Sequence, residues 1–351
     1  IYDNGSNLRV GASFKYLDID EDISFTANPL NKSYAGQYET KEIIPGIFAE
    51  NTLFLLEDKL TVMTGLRADH LNNIGWKVSP RAMVKYTPIT NMDIRASAGY
   101  GWHTPKVFSE QARVLSTQRD IHFHGQLKPD EAWNYGLNIT QKIEAPNVST
   151  TLAADFYQTR FTNHTMAHYH SIHDAIVFEN NTKPAVGNGF QAEATVDLWQ
   201  WLTLKAAYNY LDIQHTDLEG QKGTMDFITK HRFLSSVSVA PKGKPWHFDI
   251  SSQWHGKKKL PDTEFYPDNF KQAEYSTPHT IVNMQYTHKW KDFEFYGGME
   301  NILNFTQKDP IVSADNPFNP FFDTSFAWGP TRGIEGYVGL RYNLKFKKEE
   351  E

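Results

Sequence analysis

The chain has 351 residues, 22% of them charged, a net charge of −6 and no cysteine. Disulfides, cysteine-based zinc or iron–sulfur sites and thiol catalysis are thereby excluded, and the mild acidic balance argues against a nucleic-acid surface. No run of eighteen apolar residues occurs, so no transmembrane helix is expected, but a membrane β-barrel needs only half-apolar strands and stays open.

In chain order, "IYDNGSNLRVGASFKYL" begins abruptly, without a signal peptide, and soon alternates like a strand. A fragment or processed piece, with its natural start elsewhere, is expected. From Leu60, Leu60, Val62, Leu66 and Ala68 fall on one side and Thr61, Arg67 and Asp69 on the other. Met92, Ile94, Ala96, Ala98, Tyr100 and Trp102 alternate with Asp93, Arg95, Ser97 and His103. The same period of two returns in "FQAEATVDL" from Phe190, "WHFDISSQWH" from Trp246 and "GYVGLRYNLKF" from Gly336. Strict alternation over about ten residues predicts strands, and no segment carries a helical stripe.

About fourteen such strands are expected, each long enough to cross a bilayer at a tilt. Their connections alternate in length. "LEDK", "TPITN", "EAPNVS", "WQW", "PKGKP" and "KWK" are short. Residues 18–39, 103–126, 163–187, 214–230, 256–275 and 304–332 read as long loops, with 72–77 as a modest connection on the same side. Short turns at one end and long loops at the other fit an outer-membrane barrel better than a soluble sandwich or propeller. Arg81 and Lys85 fall on the polar face, where a wet lumen tolerates charge that a dry core would not. Tyr100, Trp102, Trp246 and Trp254 lie near strand ends, where a headgroup girdle wants them. The predicted class is an all-β transmembrane antiparallel barrel over 1–346, followed by a charged tail, 347–351.

Several segments resemble one family, the TonB-dependent outer-membrane receptors, especially those of the Bacteroidota. The matching elements are Ser79-Pro80-Arg81, Gly101-Trp102-His103-Thr104-Pro105, "LKPDEAWNYG" from Leu127, "GGMENILNF" from Gly297 and the closing "WGPTRGIEGYVGLRYNL". Gly339, Tyr342, Leu344 and Phe346 resemble the terminal assembly signal of outer-membrane barrels. The resemblance implies an importer with a barrel of twenty-two strands around a plug. The chain would then be the C-terminal part, completed by an N-terminal segment or a companion chain. The implied partners are outer-membrane lipid, the TonB–ExbB–ExbD complex and a surface lipoprotein. No cofactor is required, and bound metal or haem would be cargo.

The expected cargo is a scarce nutrient, most simply a metal or metal chelate such as a ferric siderophore, haem or copper. Cobalamin or an oligosaccharide is the alternative within the family. A passive porin or adhesin-like barrel and a soluble lectin-like β-protein are the rivals outside it. The resemblance places "HTMAHYHSIH" in an outward loop. His164, Met166, His168, His170 and His173 are the candidate metal ligands, because imidazole and thioether suit soft or borderline metals. Asp174 and Glu179 could orient the imidazoles. A solvated loop without a ligand is the competing reading. His103, His122, His124, Tyr169 and Trp328 are the other candidate ligand contacts. Phe265, Tyr266, Phe318, Phe321 and Phe322 are further loop aromatics that could wall a vestibule. Arg67, Arg81, Arg95 and Lys85 are expected to face the lumen, and the resemblance implies that such cations pair with acidic groups of a plug or, as the alternative, meet an anionic chelate. Ser171 beside His170 lacks the context of a nucleophile, and no phosphate-binding glycine loop exists, so no catalysis is expected.

Overall fold

Alternating side chains need two different environments, and the chain supplies them by building one long sheet. The computed structural model describes residues 5–25, 32–169, 174–216, 220 and 222–344. Fourteen strands form the wall. They are β1 (Asn7–Ile23), β2 (Gly36–Leu55), β3 (Leu60–Leu71), β4 (Gly75–Tyr86) and β5 (Met92–His103), then, beyond the short β6 (Asp120–Phe123), β7 (Asp130–Ala145) and β8 (Val148–His168). Past β9 (Ala175–Asn181) come β10 (Ala185–Leu198) and β11 (Leu202–Thr216). Past β12 (Lys222–Thr224) come β13 (His231–Val239), β14 (Trp246–His255), β15 (His279–Trp290), β16 (Phe293–Glu300) and β17 (Glu335–Tyr342). Each wall strand is antiparallel to the next wall strand in the chain. The expected count of about fourteen is the wall, and β6, β9 and β12 are additional strands outside it.

The two faces separate as the alternation predicts. Leu8, Val10, Phe14, Ile47, Leu66, Phe156, Val338 and Leu340 are exposed on the outer face. Tyr342 and Leu344, two of the expected assembly residues, lie exposed on that same face, whereas Phe346 lies outside the described residues. The inner face is polar and close-fitting. At Gly339 a Cβ would overlap the Tyr296 ring of the paired strand, so only glycine lets that ring lie flat. Gly189 and Tyr157 repeat the arrangement between β10 and β8.

One end of the wall carries tight turns. Pro146–Asn147 and Lys291–Asp292 join their strands in two residues, with Asn147 at φ 63° and Lys291 at φ 55°. Positive φ twists such hairpins in the same sense as the sheet. The other end carries the long connections, shorter than expected because β1, β2 and β8 overrun their predicted limits. Residues 163–187 are largely a hairpin of β8 with β9, and 103–126 contain a four-residue helix, α1 (Val107–Glu110), a 3-10 turn (Ala112–Ser116) and β6. Among the described residues no helix is long and apolar enough to cross a membrane. Among them, too, β1 pairs only with β2 and β17 only with β16, so the wall is open between its first and last strands.

A candidate ligand-binding mouth

The apolar core lies in the long connections, not in the wall. Tyr34, Val107, Phe108, Val114, Ile121, Tyr169, Ile176 and Phe178 bury one another above the sheet. The short β6 pairs in parallel with β9, from Asp120↔Ala175 to Phe123↔Phe178, which ties the 104–129 connection to the β8–β9 hairpin. A second cluster joins Tyr266 to Val312 and Phe326.

Arg119 connects the two. Its guanidinium is 2.9 Å from Asp323 Oδ2, with both side chains almost fully buried. It also donates to the Tyr169 carbonyl at 3.0 Å and to the Tyr266 hydroxyl. Asp323 further accepts from the Ser325 amide at 2.8 Å. Burial pushes the Tyr266 phenol up to about 12, with Arg119 opposing and Asp323 adding to the shift. The phenol therefore stays protonated and can act as a donor. One ion pair holds four connections together. Nothing in "STQRD" marks Arg119 as more than a solvated loop residue, and its partner is 204 positions away, so sequence pattern misses it.

Below this canopy the wall is lined with ion pairs. Arg67 grips Asp69 through two hydrogen bonds of 2.7 Å each and reaches Ser13 Oγ at 2.8 Å. Arg81 pairs with Glu50, and Asp93 takes both Lys85 (3.2 Å) and Arg95 (2.8 Å). These four cations face inward as expected, and among the described residues each pairs with a carboxylate of this chain. Arg67–Asp69 and Arg95–Asp93 are two apart on one strand, where alternation puts them on the same face, while Lys85 reaches Asp93 on the neighbouring strand and Arg81 reaches Glu50 across β3.

The wall is also parted at one point. Pairing of β4 with β5 runs from Tyr86↔Ile94 to Arg81↔Gly99 and stops, although both strands continue. Pro80, which has no amide hydrogen, sits where they separate. A cavity of about 470 Å³ opens there, lined by Arg67, Asp69, Arg81, Tyr100 and Trp102 among others. Lys77 crosses the gap to Glu131, which also accepts from the Tyr100 hydroxyl at 2.5 Å.

The histidines do not form one cluster. His103 lies 3.2 Å from Glu110 and His122 3.5 Å from Asp120, both at the exposed rim. Glu179 takes two of them, His124 Nδ1 at 3.0 Å and His168 Nε2 at 2.8 Å, the latter too oblique for a hydrogen bond. Tyr169 is buried in the loop core, and Trp328 is half-buried against His279 and Phe305. Among the described residues, no three side chains of His, Asp or Glu converge as a metal site. His170 and His173 lie outside the described residues.

His164 and Met166 differ from the rest. They project from the part of β8 that pairs only with β9, beyond the wall. His164 is buried, and neither ring nitrogen has a hydrogen-bond partner among the described residues. Burial lowers its pKa, with Asp130 opposing and the His215 imidazole reinforcing the shift. Met166 Sδ is 2.9 Å from Asn181 Nδ2.

The chain matches the family model described as TonB dependent receptor-like, beta-barrel, over residues 2–302. No curated protein matches it by sequence. Among solved structures it is similar to a variant of the ferric enterobactin receptor PfeA of Pseudomonas aeruginosa, at 14% identity and a TM-score of 0.69, covering 95% of this chain and 50% of that one. It is also similar to the siderophore receptor PirA of the same organism, at 14% identity and TM-score 0.60, over 95% and 51% of the two chains. The FrpB iron transporter of Neisseria meningitidis matches at 12% identity and TM-score 0.64, over 96% and 52%. The chain thus spans about half the length of these structures, and the likeness is one of fold.

Proposed function

The chain belongs to the TonB-dependent receptors, whose β-barrels sit in the outer membrane, and from that premise we propose that it forms most of the wall and the outer mouth of a nutrient importer. The observation that carries the reading is the joint arrangement of an apolar outer face, an ion-paired inner face and an ordered canopy at one end only. An apolar exterior suits lipid, and a charged interior suits a wet lumen. Members of this family move solutes and do not transform them, so the protein is no enzyme.

The cargo we propose is an iron chelate of the siderophore type, ahead of haem, cobalamin or an oligosaccharide. Support comes from the solved relatives, which are named as ferric enterobactin, siderophore and iron receptors. The canopy adds aromatic surface next to cations, such as Arg113 over Phe227 at 4.5 Å and Lys257 over Tyr275 at 4.0 Å. Both features suit an anionic chelate that carries aromatic donor groups. His103, His122, His124 and Trp328 are proposed contacts at the rim. Tyr169, with its pKa raised by burial, is proposed to act by holding the rim together.

The open edges of β1 and β17 cannot face lipid unpaired, because each unsatisfied backbone group there costs several kcal/mol. We propose that further strands, from a longer chain or a companion, close the barrel around a plug. Energy would come from TonB with ExbB and ExbD, and a surface lipoprotein could assist capture. The test is ligand binding by the full-length receptor in detergent, followed through quenching of tryptophan fluorescence. A ferric catecholate or hydroxamate chelate is expected to bind at least tenfold more tightly than haem or cobalamin. Equal or stronger binding of haem, cobalamin or an oligosaccharide would replace this cargo.

A further inference from the structure

Cations on the lumenal face mostly have a carboxylate at hand. Arg67, Arg81, Arg95 and Arg341 are each ion-paired with an Asp or Glu of the wall. One row at the mouth end of β13, β14 and β15 breaks this pattern. Arg232 pairs in register with His255, and His255 with His279, so three basic side chains stand side by side on three strands. Alternation puts them on the face of Gln253 and Ser251, which looks into the lumen. Arg232 donates to Asn209 Oδ1 at 3.2 Å, a neutral partner. Among the described residues no carboxylate pairs with any of the three.

The row is held in place from several sides. The His255 and His279 rings stack at 5.0 Å between centroids and 16° between planes. Phe305 lies parallel to His279 at 4.4 Å, and Trp328 leans on it at 5.8 Å. Lys258 donates to the Trp328 carbonyl, which brings a further cation to the row. Burial and the Arg232 charge hold the Lys258 ammonium below its ordinary pKa. The charges that face the imidazoles are thus Arg232 and Lys258, both of like sign to an imidazolium. Lys308, which borders a cavity with His279, is of that sign too. His279 Nδ1 is 3.3 Å from the Thr277 carbonyl. A carbonyl can only accept, so Nδ1 carries the hydrogen of the neutral ring and a proton from solvent adds at Nε2.

We propose that Arg232, His255 and His279 form a site for a small oxyanion, a carboxylate or phosphate group entering from the mouth, which binds together with a proton on the histidine stack. The guanidinium offers paired donors that match such a group. Without the anion, like charges disfavour protonation of either ring; with it, the charged imidazole is favoured. Anion and proton therefore bind cooperatively, and affinity rises as the pH falls through the imidazole range. The row adjoins Trp328, one of the proposed rim contacts, but rests on no particular cargo.

The test uses the full-length receptor in detergent with chloride at about 0.15 M, which screens loose surface attraction. Citrate and, separately, inorganic phosphate are titrated by calorimetry. Saturable binding of at least one is expected, roughly tenfold tighter at about pH 6 than at about pH 7.5. Buffers of different ionisation enthalpy are expected to reveal uptake of about one proton per anion. Preference for citrate assigns the site to carboxylates and preference for phosphate to phosphate groups, and either supports it. Arg232→Gln is expected to weaken binding at least tenfold at both pH values. His255→Gln/His279→Gln is expected to keep residual binding and to lose both the pH dependence and the proton uptake. Heat-modifiable migration on gels reports that each variant is folded. Absence of saturable binding of both anions, wild-type affinity in Arg232→Gln, or unchanged pH dependence in the histidine double variant would overturn the site. Neither probe carries iron, so failure here leaves the ferric-chelate reading to its own test.

Discussion

Arg119 and Asp323 bury opposite charges in an otherwise apolar junction between loops. Removing one partner leaves the other charged and desolvated, at a cost of roughly 3–5 kcal/mol, while replacing both with apolar groups of similar size is far milder. Arg119→Met is therefore expected to speed amide hydrogen exchange across residues 256–278 and 301–334. The double variant Arg119→Met/Asp323→Leu should recover most of the protection. Unchanged exchange in the single variant would mean that the ion pair does not hold the canopy. The residue scale is also where sequence reading was weakest. The inward direction of Arg67, Arg81, Arg95 and Lys85 was legible from alternation. The Arg81–Glu50 pair was not, because its carboxylate is two strands over and remote in sequence, whereas Asp69 and Asp93 lie two positions from Arg67 and Arg95 on the same face and could have been read from the same alternation. Glu50, Asp69 and Asp93 serve the four cations within the wall, a set of partners that the expectation of a plug left unnamed.

At the scale of elements, alternation worked wherever one face meets lipid. In β14 Trp246, Phe248, Ile250 and Trp254 share the outer side, and the strand was evident. Ile250→Arg is expected to cost roughly 2–4 kcal/mol near the bilayer midplane, and Ser251→Arg, facing the lumen, close to nothing. Denaturation midpoints in lipid vesicles would separate the two, and equal losses would refute the assigned faces. A second prediction concerns the fit of β17 to β16. Gly339→Val should cost roughly 1–3 kcal/mol through the overlap with Tyr296, and adding Tyr296→Ala should restore part of it. Alternation failed where a strand meets protein on both faces. "AIVFENN" of β9 is buried throughout or nearly so, shows no in-and-out pattern, and pairs with β6 from a distant connection. The end of β8 failed for the opposite reason. His164, Met166 and His168 do alternate with Thr165, Ala167 and Tyr169, but the histidines are on a covered side, so the stretch read as a polar loop.

For the whole molecule, the shape and its orientation followed from two regularities of sequence, period two and the segregation of long connections to one end. The canopy did not, because it rests on contacts between connections far apart in the chain. The family, matched over residues 2–302, places the wall in the outer membrane. The central claim is that this wall serves energised import of an iron chelate. The most direct measurement is uptake of a radioactive ferric siderophore by iron-starved cells whose only receptor contains this chain, with TonB present and with it deleted. Accumulation above background only in the cells with TonB is the predicted result. Equal accumulation in both strains would contradict the account and make the protein a passive pore.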